Sequence, residues 1–135
     1  MDLIIKTISR IMFPFIILFG IYVAFHGHLT PGGGFPAGAT MATAFTLLIL
    51  TFHEKEVEGR FSEIKLTDIK SVASLALLGV IFLEFTDRTW LLNMQTKMTI
   101  WSGGDTLFAN VFGSIIVASG LTIIVYSLMK EEWKK

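Results

Sequence analysis

The sequence predicts an all-α integral membrane protein with four transmembrane helices, a Gly/Pro-rich turn between the first two, and both termini in the cytoplasm. Three observations lead there. The 11 acidic and 11 basic residues are absent from Ile11–His53, Ser71–Leu83 and Thr106–Met129. Hydrophobic residues reach 53% while charged ones fall to 16%, well under the roughly 25% charged residues of soluble domains. The first of the charge-free stretches runs for 43 residues, too long for a globule that must face water with polar side chains. Its solvent is lipid.

A span needs about 20 apolar residues to cross about 30 Å of hydrocarbon, so the first stretch must break. The break is at Thr30-Pro31-Gly32-Gly33-Gly34-Phe35-Pro36, where prolines and glycines cannot sustain a helix. Span one is expected at residues 4–25. Ile4, Ile5, Ile8, Ile11 and Met12 recur there at helical spacing, Lys6 and Arg10 can snorkel from one face, and Pro14 is a candidate kink. Basic residues before an apolar run also mark a secretory signal, but no A-x-A-like cleavage pattern follows, and the segment reads as a retained anchor.

Span two is expected at 36–52, with Pro36 suited to the first helical position. Span three, at 68–87, is less regular, because its charge-free part is short and Glu84 interrupts its end. Span four, at 106–129, follows Gly103-Gly104, with Asp105 placed to cap its first turn. Residues 1–135 thus form one four-span membrane domain without internal repeats. The 53–70 loop, rich in charges of both signs, reads as a solvated connector.

Orientation follows from Lys and Arg. Four spans put Lys6, Arg10, Lys55, Arg60, Lys65, Lys70, Lys130, Lys134 and Lys135 on the side of the termini, and only Arg88 and Lys97 opposite. The termini are therefore expected in the cytoplasm of a cell membrane protein, with Trp90, Trp101 and Trp133 at the interfaces. The net charge of zero removes the electrostatic case for nucleic acid. The absence of cysteine excludes disulfides, Cys-ligated zinc, iron–sulfur ligation and thiol nucleophiles.

Several features are candidates for chemistry. Gly33 to Gly38 has the G-x-x-x-x-G spacing of a phosphate-binding loop, but Ala39 replaces its lysine and no strand precedes it. A structural turn is the stronger reading, since glycines let one backbone approach another where irregular chain must be satisfied by protein or water. His26 and His28 flank Gly27; interfacial hydrogen bonding, a proton-relaying role and metal binding all stand open, although two ligands are too few for a closed site. Glu84 is the sharpest single residue, because an acid in or beside a span is costly. It is either an ion-path group, together with Asp87, or part of an interfacial cluster with Asp87 and Arg88. Gly38-x-x-x-Ala42, Ala109-x-x-x-Gly113 and Ser114-x-x-x-Ala118 mark helix contacts, either within the chain or to another subunit. Spans one, two and four lack a mid-span lysine or carboxylate, which a stand-alone ion pump would need.

The string His26-Gly27-His28-Leu29-Thr30-Pro31-Gly32-Gly33-Gly34-Phe35, between two spans of a short four-span chain, closely resembles the B subunit (MnhB-like) of Mrp-type multisubunit Na+/H+ antiporters. Similar subunits occur in the membrane arms of archaeal energy-converting hydrogenases and sulfur-reducing complexes. The likeness covers most of the chain in length and span count, with its specificity between His26 and Ala39. After Phe35 the family often carries a further glycine pair, whereas this chain reads Pro36-Ala37-Gly38-Ala39. The resemblance implies a non-catalytic integral subunit, without cofactor or resident metal, of a prokaryotic complex exchanging Na+ for H+. Its partners would be other integral-membrane subunits, the largest of which carry most of the proton path. Pro31, Gly32, Gly33, Gly34 and Phe35 would be its structural turn. The alternative is a self-sufficient homodimeric exporter like the small multidrug transporters, which depend on a membrane-embedded glutamate in their first span. Span one here has no acid after Asp2.

Overall fold

The computed structural model describes residues 3–27, 32–60, 62–86 and 105–135, with backbone only at 84–86 and 105. Four long helices and one short one account for nearly all of it: α1 (Leu3–His26), α2 (Gly34–Thr51), α3 (Glu54–Glu58), α4 (Glu63–Thr86) and α5 (Asp105–Trp133). The four long ones are each long and apolar enough to cross a membrane.

Helix α1 runs through Pro14 without interruption. Helix α2 begins at Gly34, so Pro36 falls inside the first turn, where the lost N–H has no intrahelical acceptor in any case. At 18 residues α2 is the shortest of the four, about 27 Å at 1.5 Å per residue. Helix α4 starts at Glu63, earlier than its charge-free part suggests, and takes Lys65, Asp68 and Lys70 into its first turns. Helix α5 continues past Met129 to Trp133. Residues 87–104, with Arg88, Trp90, Lys97 and Trp101, lie outside the described residues.

The loop after α2 is more structured than a solvated connector. His53 turns the chain, its carbonyl accepting from the N–H groups of Glu56 and Val57 at 2.9 and 3.1 Å. The short α3 is pinned by Val57, which is buried with Ile49 of α2 and Tyr126 of α5, with Phe52, Val125, Met129 and Trp133 packed around them. One apolar side chain in a charged run thus seals the end of the molecule that carries the termini. Ser127 on α5 donates to the Glu63 carboxylate at 3.2 Å, tying the start of α4 to the same end.

The helices pack in the order α1, α2, α5, α4. Helix α2 lies along both α1 and α5, α4 lies along α5, and α1 touches α5 lightly. Away from Leu107 and the Ile49–Val57–Tyr126 cluster, what is buried between them is mostly small: Ala24, Ala37, Gly38, Ala42, Ala44, Ser114, Ala118, Ser119 and Thr122. Large apolar side chains point outward instead, among them Phe15, Leu18 and Phe19 on α1 and Val72, Leu75, Leu78 and Phe82 on α4. A soluble domain buries its large apolar groups; in lipid, association depends on close van der Waals approach, which small residues permit.

Candidate functional site

The densest backbone packing is at the end opposite the termini, where the glycine corner meets the first turns of α5. Gly33 has φ +132° and ψ −171°, a region essentially reserved for glycine. Its carbonyl accepts from the Ala37 N–H at 3.3 Å, which starts α2. A Cβ at Gly34 would lie 3.2 Å from the Asn110 carbonyl oxygen and 3.4 Å from backbone atoms of Gly113 and Ser114. A Cβ at Gly27 would meet the Asn110 side-chain nitrogen and the Gly33 backbone nitrogen, each at 2.8 Å. One turn further along α2, a Cβ at Gly38 would fall 2.6 Å from both the Ser114 carbonyl oxygen and the Val117 Cβ. The corner therefore rests on α5 of its own chain, and Gly38 meets Ser114 and Val117 within the molecule. Phe35, by contrast, is exposed. Pro31 and His28 lie outside the described residues.

The polar groups inside the helix stack are largely satisfied by their own backbones. Ser114 donates to the Val111 carbonyl, Ser119 to Ile115 and Thr122 to Ala118, at 2.6 to 2.7 Å. Thr51 donates to the Leu47 carbonyl at 2.6 Å, leaving Ser9 to donate to the Thr51 hydroxyl at 3.1 Å across the α1–α2 contact. Hydroxyls committed in this way add no charge to the interior. No group of three or more metal-ligating side chains occurs among the described residues.

The remaining candidates are spread over separate helices. His26 ends α1, with Nδ1 3.2 Å from the Tyr22 carbonyl oxygen and its ring stacked on that of Tyr22 at 4.4 Å. Tyr22 stacks on Phe19 in turn, and both are exposed, so His26 belongs to the outward aromatic row of α1. Glu84 lies in the last turn of α4, and its side chain, like Asp87 as a whole, falls outside the described residues. Helix α4 packs along α5 rather than α1, so the helices bearing His26 and Glu84 are not close neighbours.

Two features went unread in the sequence. Asn110 is the only amide side chain in the three charge-free stretches, which was the available signal, and it faces the glycine corner. At the other end, Lys6 reaches Glu56 at 3.7 Å, and Lys6 and Arg10 lie over the Phe52 ring at 5.5 and 4.9 Å from its centroid. These two bases therefore fold over the loop after α2 instead of only snorkelling into water. Their spacing showed the shared face but not its partner.

Residues 4–130 match the family described as a domain related to the MnhB subunit of Na+/H+ antiporters. Among curated proteins, the chain is similar to proteins of Staphylococcus aureus strains Newman, JH1 and COL, each provisionally named antiporter subunit mnhB2. The identity is 39% over 56 residues, 42% of this chain and 40% of each relative. The match thus spans about two fifths of the length of these curated relatives.

Proposed function

Because the chain belongs to the family of domains related to the MnhB subunit of Na+/H+ antiporters, we propose that it is a small, non-catalytic integral subunit of a multisubunit Na+/H+ antiporter or of a respiratory complex that contains one. Its role is to support assembly, and Glu84 contributes to the ion route at the glycine end, with Asp87, His26 and His28 as further candidates. The observation that carries this reading is the interior. Apart from Leu107 and the Ile49–Val57–Tyr126 cluster, its buried groups are mostly alanine, glycine and uncharged hydroxyls, which supports a packing element whose ion chemistry is completed by neighbours.

Purification from native membranes in mild detergent is expected to bring large antiporter-like subunits with this chain. Recovery as a stable homodimer that exchanges ions without partners would overturn the proposal. Glu84→Gln in the intact assembly is expected to lower Na+/H+ exchange in inverted vesicles while the subunits still co-purify. Unchanged exchange with intact assembly would reduce the chain to a scaffold.

A further inference from the structure

At the end carrying the termini, a cleft of about 370 Å³ is lined by Arg10, Phe13, Leu48, Phe52, Glu56 and Val57, with Arg60 at its edge. It straddles a chemical boundary. Phe13 and Leu48 lie inside the 43-residue stretch without charge, Arg10 immediately precedes that stretch, and Glu56 and Arg60 follow it. The single acid in the lining, Glu56, faces Lys6 at 3.7 Å. Arg10 lies over the Phe52 ring, and among the described residues neither Arg10 nor Arg60 is within ion-pair distance of a carboxylate. The other acids of α3, Glu54 and Glu58, do not line the cleft. Arg10 thus lies over the aromatic floor and Arg60 lines the same cleft, at the boundary between the charge-free stretch and the charged loop.

We propose that this cleft binds an anionic phospholipid, its phosphate held by Arg10 and Arg60 and the upper part of one acyl chain laid over Phe13 and Leu48. Planar guanidiniums suit phosphate oxygens through paired N–H donors, and basic pockets between helices near a membrane surface select anionic headgroups. A free phosphate would use the arginines but not the apolar floor, and a zwitterionic lipid would use the floor while bringing its own cation toward them. The inference rests on the cleft and not on the antiporter reading, so either can fail alone.

The test uses the full chain, together with any subunits that accompany it, in mixed micelles of phosphatidylglycerol and phosphatidylcholine, with retained lipid counted by native mass spectrometry. Phosphatidylglycerol should be retained about tenfold over phosphatidylcholine. The double change Arg10→Gln/Arg60→Gln should cut its retention roughly 30-fold, Arg10→Lys/Arg60→Lys, which keeps the charge but not the paired donors, should fall in between, and Lys130→Gln, at the same end but outside the cleft, should keep it within about twofold. Equal retention of the two lipids, an unaffected Arg→Gln double variant, or full displacement by millimolar inorganic phosphate would overturn the proposal. A Phe52→Trp reporter with both arginines intact gives an independent readout should the double variant fail to fold. Its fluorescence should be quenched by brominated phosphatidylglycerol and not by brominated phosphatidylcholine, and equal quenching by both would also overturn it.

Discussion

Replacing Gly38 by alanine adds one methyl group at the tightest point of the α2–α5 contact. Its Cβ would sit 2.6 Å from the Ser114 carbonyl oxygen and from the Val117 Cβ, where ordinary contact lies at 3.4–4 Å. Neither neighbour is the free end of a side chain, so relief requires α2 to move off α5 by about 0.8 Å, the difference between 2.6 and 3.4 Å. A gap of about 0.5–1 Å forfeits a quarter to a half of each dispersion contact, and here it would open the Gly34 contacts with Asn110, Gly113 and Ser114 as well. Overpacking of this kind costs about 1–3 kcal/mol, while alanine returns up to about 1 kcal/mol of helix propensity. The expected net loss is about 1–2 kcal/mol, or about 5–30-fold in the folded-to-unfolded ratio. Two other glycines calibrate it. Gly20→Ala would meet the Met41 Cγ at 2.6 Å, a side-chain rather than a backbone atom, and the Ala37 carbonyl oxygen at 3.3 Å, and Gly120→Ala would meet nothing within 4 Å. Reversible unfolding in detergent, followed by helical circular dichroism, should rank stability as Gly120→Ala above Gly20→Ala above Gly38→Ala. If Gly38→Ala proves as stable as Gly120→Ala, the small-residue account of the α2–α5 contact is wrong.

Other substitutions probe separate contacts. Gly33→Ala forces a Cβ into a backbone region that L residues avoid (φ +132°, ψ −171°) and should cost about 1–3 kcal/mol; a loss no larger than that of Gly120→Ala would remove the corner's need for glycine. Ser9→Ala and Thr51→Val, taken as a double-mutant cycle, should show a coupling of about 0.6 kcal/mol, the usual size for a hydrogen bond between membrane helices. Zero coupling in that cycle would mean the Ser9–Thr51 contact does not operate. Val57→Asp places a charge between Ile49 and Tyr126 and should release α3 from the helices, measured as faster proteolytic cutting between 53 and 62, while Lys55→Asp on the exposed side of α3 should leave the cutting rate unchanged.

The number of long helices was legible because it depends on one strong signal, the confinement of charge. Three consecutive glycines between prolines marked where the first charge-free stretch breaks, and α2 begins at the last of them. Its seat was not legible. That Gly34 would rest on Asn110, Gly113 and Ser114 depends on which helix α2 chooses as a neighbour, and small-residue strips at four-residue spacing do not name their partners. The early start of α4 was hidden because Glu63, Lys65, Asp68 and Lys70 are good helix formers or tolerated residues just outside the hydrocarbon, where hydropathy no longer reports on helix. Val57 was overlooked because one apolar residue among charges sets up no period, although a single buried side chain suffices to hold a five-residue helix.

The same distribution of side chains bears on how this chain can recognise a neighbour. With alanine, glycine, serine and threonine already facing one another along α2 and α5, the surfaces left over on α1 and α4 are large, apolar and chemically uniform. In water such faces would associate through the hydrophobic effect, but in lipid that driving force is absent, and a leucine gains little by exchanging an acyl chain for another leucine. Selective docking there must come from shape or from the few polar groups the chain presents to its surroundings. On α4 the shape is a shallow trough formed by Leu75, Leu78, Gly79, Ile81 and Phe82, with no heavy atom within 4 Å of a Cβ built at Gly79. Glu84, in the last turn of the same helix, is among the few ionisable residues near the end of a span. The trough lies on α4, whose main neighbour in its own chain is α5, so shape rather than apolar character is what that face offers that lipid cannot imitate.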